Sequence, residues 1–407
     1  MPEFELTVTQ KSPSKSAELW FLCVLGVLMS FAAMSTDFYL PAMPQIQSDL
    51  NAFTGGVELT ISAFLIGFSL GQFIWGPLGD RFGRKPPILA GLVLFIIGAA
   101  GCALSDTIWQ MISARIVQAL GACAGPVLAR AMVRDQFGRE KSAQMLSTMM
   151  LIMGIAPLIG PLVGGQIIKY GTWHTIFWLL VVIGIISIFC VMSLPETLPQ
   201  HQRLKTHIFG VFRNYFRLLS DARVMGYVLA SAFFYAGIFA YVAGSPFVYI
   251  SYFHVPPQNY GLLFGVNIIG IMGANMLNAR LVTKIGIERL FYWGNYITAL
   301  SGIMIFVSAM TGYGGIFGIA IPLFLFTSMN GMIVANSVAA VMNFKPEQVG
   351  TASSLIGALQ YGAGVISAAL IGVLNDGTPK VLASMLAIAG IGGLCMALWL
   401  KKSLKQN

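Results

Sequence analysis

The sequence predicts an all-α membrane protein of twelve transmembrane helices in two pseudo-symmetric six-helix halves, and three observations predict it. Only 10% of the 407 residues are charged while 57% are hydrophobic, against about 25% charged in an ordinary soluble domain. Apolar runs of roughly 17–25 residues, enough to cross a hydrocarbon core of about 30 Å, recur from end to end with short polar breaks. The longest internal polar stretch, 195–222, falls after the sixth of these runs.

The spans are predicted at 19–41, 57–77, 87–105, 107–129, 143–167, 173–194, 224–247, 259–279, 289–310, 313–337, 350–374 and 380–400. Runs this apolar must be helices, because every backbone N–H and C=O has to find its partner inside the span. The period-two alternation of a lipid-facing barrel strand is absent. Residues 1–18 form an expected cytoplasmic tail, 19–194 the first half, 195–222 a cytoplasmic linker, 223–400 the second half and 401–407 a second cytoplasmic tail. One pattern returns at an offset of 203 residues: Leu78, Arg81 and Gly83 correspond to Leu281, Lys284 and Gly286, while Asp80 maps to Thr283. Related halves around a midplane cavity are a recurring transporter plan.

The net charge of +9 raises the possibility of a nucleic-acid partner, but its placement decides otherwise. Of the 24 Lys and Arg residues, 21 fall on the side of the two termini, Lys169 and Lys380 on the other, and Arg115 inside a span. That asymmetry is the positive-inside rule, so both termini are expected in the cytoplasm and no nucleic acid is expected as a partner. Cys23, Cys102, Cys123, Cys190 and Cys395 are scattered through the spans with no CxxC and read as small hydrophobes. A cleaved signal peptide competes for 19–36, but the run continues into Asp37 and eleven further spans follow, so a retained first helix is expected. No P-loop occurs, and His174, His201, His207 and His254 are far apart. Neither ATP, a metal, a cofactor nor an enzymatic reaction is therefore expected.

The stretch Gly76-Pro77-Leu78-Gly79-Asp80-Arg81-Phe82-Gly83-Arg84-Lys85-Pro86 resembles the signature loop between helices two and three of the major facilitator superfamily. Ser35-Thr36-Asp37-Phe38-Tyr39-Leu40-Pro41-Ala42, Arg115-Ile116-Val117-Gln118-Ala119-Leu120-Gly121 and Gly160-Pro161-Leu162-Val163-Gly164-Gly165 are similar to motifs of its drug:proton antiporters. Together with Ser245-Pro246-Phe247-Val248-Tyr249-Ile250 and Gly350-Thr351-Ala352-Ser353-Ser354-Leu355, they most resemble the bicyclomycin-resistance subfamily. One departure is Ala156, where the antiporter motif usually has Gly. The resemblance implies the major facilitator fold, a monomer in the bacterial inner membrane, protons as coupling ion, and export of bicyclomycin-, sulfonamide- or chloramphenicol-type cargo. Export of a native metabolite such as a siderophore or amino acid is the alternative, and a non-transporting membrane scaffold or sensor is a third.

Asp37 is the only carboxylate deep inside a predicted span, and an ionised acid in low dielectric is costly unless paired or protonated. Arg115 is the only cation within a span. The two are expected across a common cavity, their coupling changing as a proton or cargo binds. The alternatives are a fixed ion pair between helices one and four, and an Arg115 that merely bonds carbonyls. Glu58, just after Thr54-Gly55-Gly56, fits the positive end of a helix dipole, with proton access as its other reading.

Gly76, Asp80, Arg81, Gly83 and Arg84 form an expected conformational latch. The resemblance implies that Asp80 meets the start of span eleven near Gly350, where free N–H groups suit a carboxylate; ordinary loop charge is the alternative. Gly160 and Gly164 share one helix face, Gly165 follows, and Pro157 and Pro161 weaken the backbone ladder, so close packing and bending are expected. The same GxxxG spacing at Gly67 to Gly71 and Gly121 to Gly125 leaves generic packing open. Candidate substrate contacts are Met34, Phe38, Phe64, Phe68 and Gln118 in the first half and Tyr235, Tyr241, Asn267, Asn330 and Gln360 in the second, where Asn275, Asn295 and Asn336 are further polar residues. An uncharged lining suits neutral or zwitterionic cargo, and bonding between helices is the alternative for each amide.

Overall fold

The computed structural model describes residues 15–200, 203, 219, 221–344 and 349–406. Twelve helices among them are long and apolar enough to cross a membrane, and no strand occurs among the described residues. In the first half spans one to six are Ser16–Asp49, Gly56–Phe82, Lys85–Ala103, Ile108–Gln136, Gln144–Tyr170 and Trp173–Ser193. Spans seven to twelve are Ala222–Tyr252, Pro257–Ile285, Ile287–Thr311, Gly315–Met342, Leu355–Leu374 and Lys380–Ser403. Most of the linker, with His201, Lys205, His207, Arg213 and Arg217, lies outside the described residues.

Several helices outrun the expected spans. Span four continues seven residues past its expected end, through Arg130 and Arg134 to Gln136, and the last helix runs to Gln406 across most of the expected tail. The first helix begins at Lys15, inside the expected first tail. Helical hydrogen bonding does not stop where hydrocarbon does, and charged side chains on the extra turns reach water.

Prolines set the breaks. The first helix ends at Asp37, four residues before Pro41, whose ring clashes with the carbonyl at that distance and whose nitrogen cannot donate. A 3-10 turn over Leu40–Ala42 and a short helix Met43–Asp49 complete span one. Span seven turns from α-helix to π-helix directly after Pro246, over Phe247–Tyr252, and span ten carries a π-turn over Gly331–Ala335. Such turns often mark functional sites.

Pairing repeats between the halves. Span one lies on five, two on four and three on six; in the second half seven lies on eleven, eight on ten and nine on twelve. The halves meet where span two faces eleven and span five faces eight. The face holding the 37–56, 246–257 and 374–380 turns, here the far face, is closed. Gly55 adopts φ 87° and touches the backbone of Gly372, so both its conformation and the contact require glycine. A Cβ on Gly165 would stand 2.8 Å from Pro257 O, and one on Gly261 would stand 2.7 Å from Leu162 N. Toward the opposite, terminal face spans five and eleven leave open space beside them. No described atom lies within 4 Å of where a Cβ would stand on Gly154 of span five or Gly357 of span eleven.

Candidate functional site

Asp37 sits where the proline break leaves it, at the end of the first helix and 5% exposed. Its neighbours explain the small residues of span five: a Cβ on Gly160 would lie 2.7 Å from Asp37 Cβ, and one on Gly164 would collide with Phe38 O. Pro161 packs on the other side against Gly261 of span eight. The Gly160 to Gly165 segment therefore wedges between the acid and the second half. Tyr241 and Tyr260 of that half lie within electrostatic reach of the Asp37 carboxylate. The hydrogen bond Asp37 receives is from the Thr36 hydroxyl, at 3.3 Å.

Arg115 is fully buried. Its Nη1 donates to Ser35 O and to Gln118 Oε1, both at 2.8 Å, and its guanidinium lies 4.3 Å from the Tyr39 ring and 4.7 Å from Phe64. Nε and Nη2 have no hydrogen-bond partner among the described residues. No ion pair joins Arg115 to Asp37; the ion pairs among the described residues are elsewhere. Stacking on a desolvated ring is worth about 2 kcal/mol, while burying an unpaired cation costs several kcal/mol. Three rings, Phe177 at 5.9 Å being the third, and two neutral acceptors thus leave a site that gains from a further acceptor. Gln118, expected among the substrate contacts, is instead fully buried as an Arg115 ligand.

Glu58 is also fully buried, so Asp37 is not alone. Asn375 Nδ2 donates to its Oε1, and Oε2 has no side-chain or other hydrogen-bond partner among the described residues. A helix N-terminus contributes about 0.3–1 kcal/mol, at most about 2, against several for the buried charge. The dipole reading does not account for the position.

On the terminal face the expected latch residues meet a cluster within the first half. Arg84 Nη1 binds Asp80 Oδ1 at 2.5 Å and its Nε binds Asp135 Oδ2 at 2.7 Å. Glu196, after span six, accepts the N–H groups of Arg84 at 2.8 Å and Lys85 at 3.0 Å, so it caps the start of span three. Lys85 Nζ caps the end of span six through Met192 O and Leu194 O. Burial works against the Arg84 charge, but Asp135 and Asp80 outweigh it and hold its pKa up. Burial likewise pushes Glu196 up, and the N–H groups of Leu198, Arg84, Lys85 and Thr197 outweigh it and hold the carboxyl below its ordinary value. Gly83 has φ 95°, and a Cβ there would meet Glu196. Arg81 is exposed over Phe82, and Gly76 lies in span two with nothing within 4 Å of its Cβ position among the described residues. Side-chain contacts near Gly350, and with them the Asp80 meeting, lie outside the described residues. Asp135 and Glu196 escaped the sequence reading, although Asp135-Gln136-Phe137-Gly138-Arg139 repeats the D-x-F-G-R of Asp80 to Arg84.

The expected substrate contacts separate into groups. Phe64 stacks on Phe68, Phe68 lies 5.4 Å from Tyr361, and Tyr361 meets Tyr235 and Phe239 at 6.3 and 5.9 Å, an aromatic cluster joining spans two, seven and eleven. Tyr361 and Phe239 were not expected. Met34 is half-buried one turn before the buried Phe38. Asn267 donates to Tyr241 Oη at 2.8 Å and Gln360 to Ser231 at 3.3 Å, both between helices. Asn336 donates to Asn278 Oδ1 at 2.9 Å, and Asn295 bonds within its own helix. Asn330 is half-buried at the start of the span-ten π-turn.

Residues 24–368 match the family described as Major Facilitator Superfamily. The chain is 32% identical over 389 residues to the bicyclomycin resistance protein homolog of Haemophilus influenzae, covering 95% of this chain and 98% of that one. It is 26% identical to multidrug resistance protein D of Escherichia coli, covering 95% and 96%. In structure it is similar to the partially occluded inward-open xylose transporter XylE from E. coli, with a TM-score of 0.74, 16% identity and coverage of 95% and 98%.

Proposed function

The chain belongs to the Major Facilitator Superfamily, and on that premise we propose that it is a proton-coupled antiporter exporting small, hydrophobic, mostly neutral drug-like compounds. It is a multi-pass transporter, not an enzyme. In this reading it sits in a bacterial inner membrane with the terminal face inside, so the described conformation opens to the cytoplasm. The names of its relatives, which speak of bicyclomycin and multidrug resistance, support this choice of cargo.

One observation carries the reading: the Asp37 carboxylate lies against the junction of the halves with no cation within 4.0 Å among the described residues, while Arg115 holds unfilled donors two residues' reach away at Ser35. A buried carboxylate without a cation takes up a proton, and one that gains a cation releases it. Cargo entering from the terminal face changes how closely span one and the Arg115 of span four approach, so the proton leaves Asp37 to that face as cargo binds and is regained from the far face once cargo has left. Cargo enters from the terminal face and rests on the rings of Phe64, Phe68, Tyr235, Phe239 and Tyr361. Neutral amides on the second half suit uncharged groups on that cargo. The test is pH-gradient-driven uptake of a drug into inverted vesicles; uptake by Asp37→Asn at the wild-type rate would remove the acid from the mechanism.

A further inference from the structure

Glu58 stands apart from the machinery above, at the far-face contact of the halves. Its Oε1 accepts from Asn375, whose Oδ1 is itself held by Gly377 N–H at 2.9 Å, and its Oε2 is buried without a partner. No Lys, Arg or His lies within 4.0 Å of it among the described residues. A cavity of about 20 Å³ adjoins it, room for about one water, lined by Gly244 and Val248 of span seven, Ile371 of span eleven, and Thr378 and Val381 at the start of span twelve. Directly beside it a Cβ on Gly372 would stand 2.7 Å from Gly55 O and 3.3 Å from Glu58 Cβ, so the carboxylate is shut in by the closing contact itself.

The charged and titratable groups around it are few. Tyr39, from the turn after the first helix, is within electrostatic reach and bonds Thr60 at 2.7 Å. Arg115 of span four is engaged on that ring. Asp49 is held by Trp173, and Asp106 in the turn into span four is exposed. Asp376 is tied to Thr378 and Lys380. The cavity residues from spans seven, eleven and twelve carry no titratable group. None of these places a cation on the Glu58 carboxylate.

Closure of the far face therefore strips water from an acid and leaves it only its own backbone N–H and one neutral amide, which favours the protonated form; opening returns water and the ionised form. We propose that Glu58 is a second proton-binding site, separate from Asp37, which takes up a proton as the far face closes and gives it back as that face opens. Acid on that side then locks the face shut.

The test is a distance measurement by pulsed electron spin resonance on the full chain in lipid nanodiscs, with labels at exposed Thr54 and Lys380 in a cysteine-free background that retains transport. The ratio of open to closed populations is expected to fall on acidification by up to about tenfold per pH unit, the limit for one linked proton. Glu58→Gln, isosteric and able to keep the Asn375 bond, is expected to favour the closed face and to titrate less steeply than the wild type, keeping only the part linked to Asp37. Asn375→Ala, which keeps the acid, is expected to titrate. A Glu58→Gln protein that titrates like the wild type, or a wild type that does not titrate, overturns the proposal. Asp37→Asn, measured alongside, separates it from the antiport reading: its titration is expected to persist. Loss there with retention in Glu58→Gln would assign the effect to Asp37 instead.

Discussion

Span two ends at Gly83 with φ 95°, and its counterpart span eight ends at Gly286 with φ 91°. The backbone turn is the same, yet the residues before it differ. Asp80 binds Arg84 in the first half, whereas Thr283 in the second bonds the carbonyl of Arg280 in its own helix. The contrast extends through the membrane. The first half buries Asp37, Glu58 and Arg115, while the second buries amide and hydroxyl pairs such as Asn278 with Asn336, Asn267 with Tyr241, and Gln360 with Ser231. One helical plan thus carries a half that handles charge and a half that is neutral. The lesson is that helix pairing and the turn glycines preserve the fold, leaving buried polar residues free to divide the work.

The sharpest way to break this contrast is to neutralise the charged half. Asp37→Asn is expected to reduce pH-gradient-driven drug uptake to the level of vesicles lacking the protein, with normal abundance on immunoblots. Next comes Arg84→Ala, which leaves Asp80 and Asp135 facing each other without their cation. Removing one partner of a fully buried pair costs about 3–5 kcal/mol; because Asp80 is 41% exposed, about 1–2 kcal/mol is expected here, read as a lower melting temperature in detergent. Gly164→Val probes the seam between the halves. A side chain there collides with Phe38 O, and overpacking costs about 1–3 kcal/mol, so a comparable loss of stability with weakened transport is expected.

The neutral half should be more forgiving. Replacing Asn336 and Asn278 by Ala, singly and together, is expected to give a coupling energy of about 0.6 kcal/mol, the average for hydrogen bonds between membrane helices, with transport retained. A coupling of several kcal/mol would show that this pair matters as much as a charge. The smallest effect concerns Glu196, whose carboxyl is held below its ordinary pKa of 4.5 by backbone N–H groups. Its contribution is complete above 4.5 and is lost as pH falls through the lowered folded value, because the unfolded form binds the proton first. Glu196→Gln should therefore lower the melting temperature slightly in the neutral region and flatten the acid limb, with the difference from the wild type vanishing at the acid end.

Much of this was legible before any coordinates. The twelve spans follow from apolar length, and the placement of Asp37 and Arg115 inside them from their isolation among hydrophobic neighbours. The end of the first helix at Asp37 is readable from Pro41. Glu58 reads from the sequence as a helix-start residue with proton access as its other reading, and its burial is not legible there, because it comes from Gly372 and Asn375, more than three hundred positions away. Tyr361 and Phe239 joined the aromatic cluster for the same kind of reason, through contacts between spans.

By itself the sequence determined the solvent, the number of crossings and the few residues whose charge is costly in lipid. Those depend on composition and local spacing, which a linear text records. Which charges pair, which stay unsatisfied and where the halves touch was decided only by the tertiary structure. Arg115 meets Ser35 and three rings and leaves Asp37 unpaired because helix rotation and tilt place its guanidinium there, and those angles emerge from packing many helices at once.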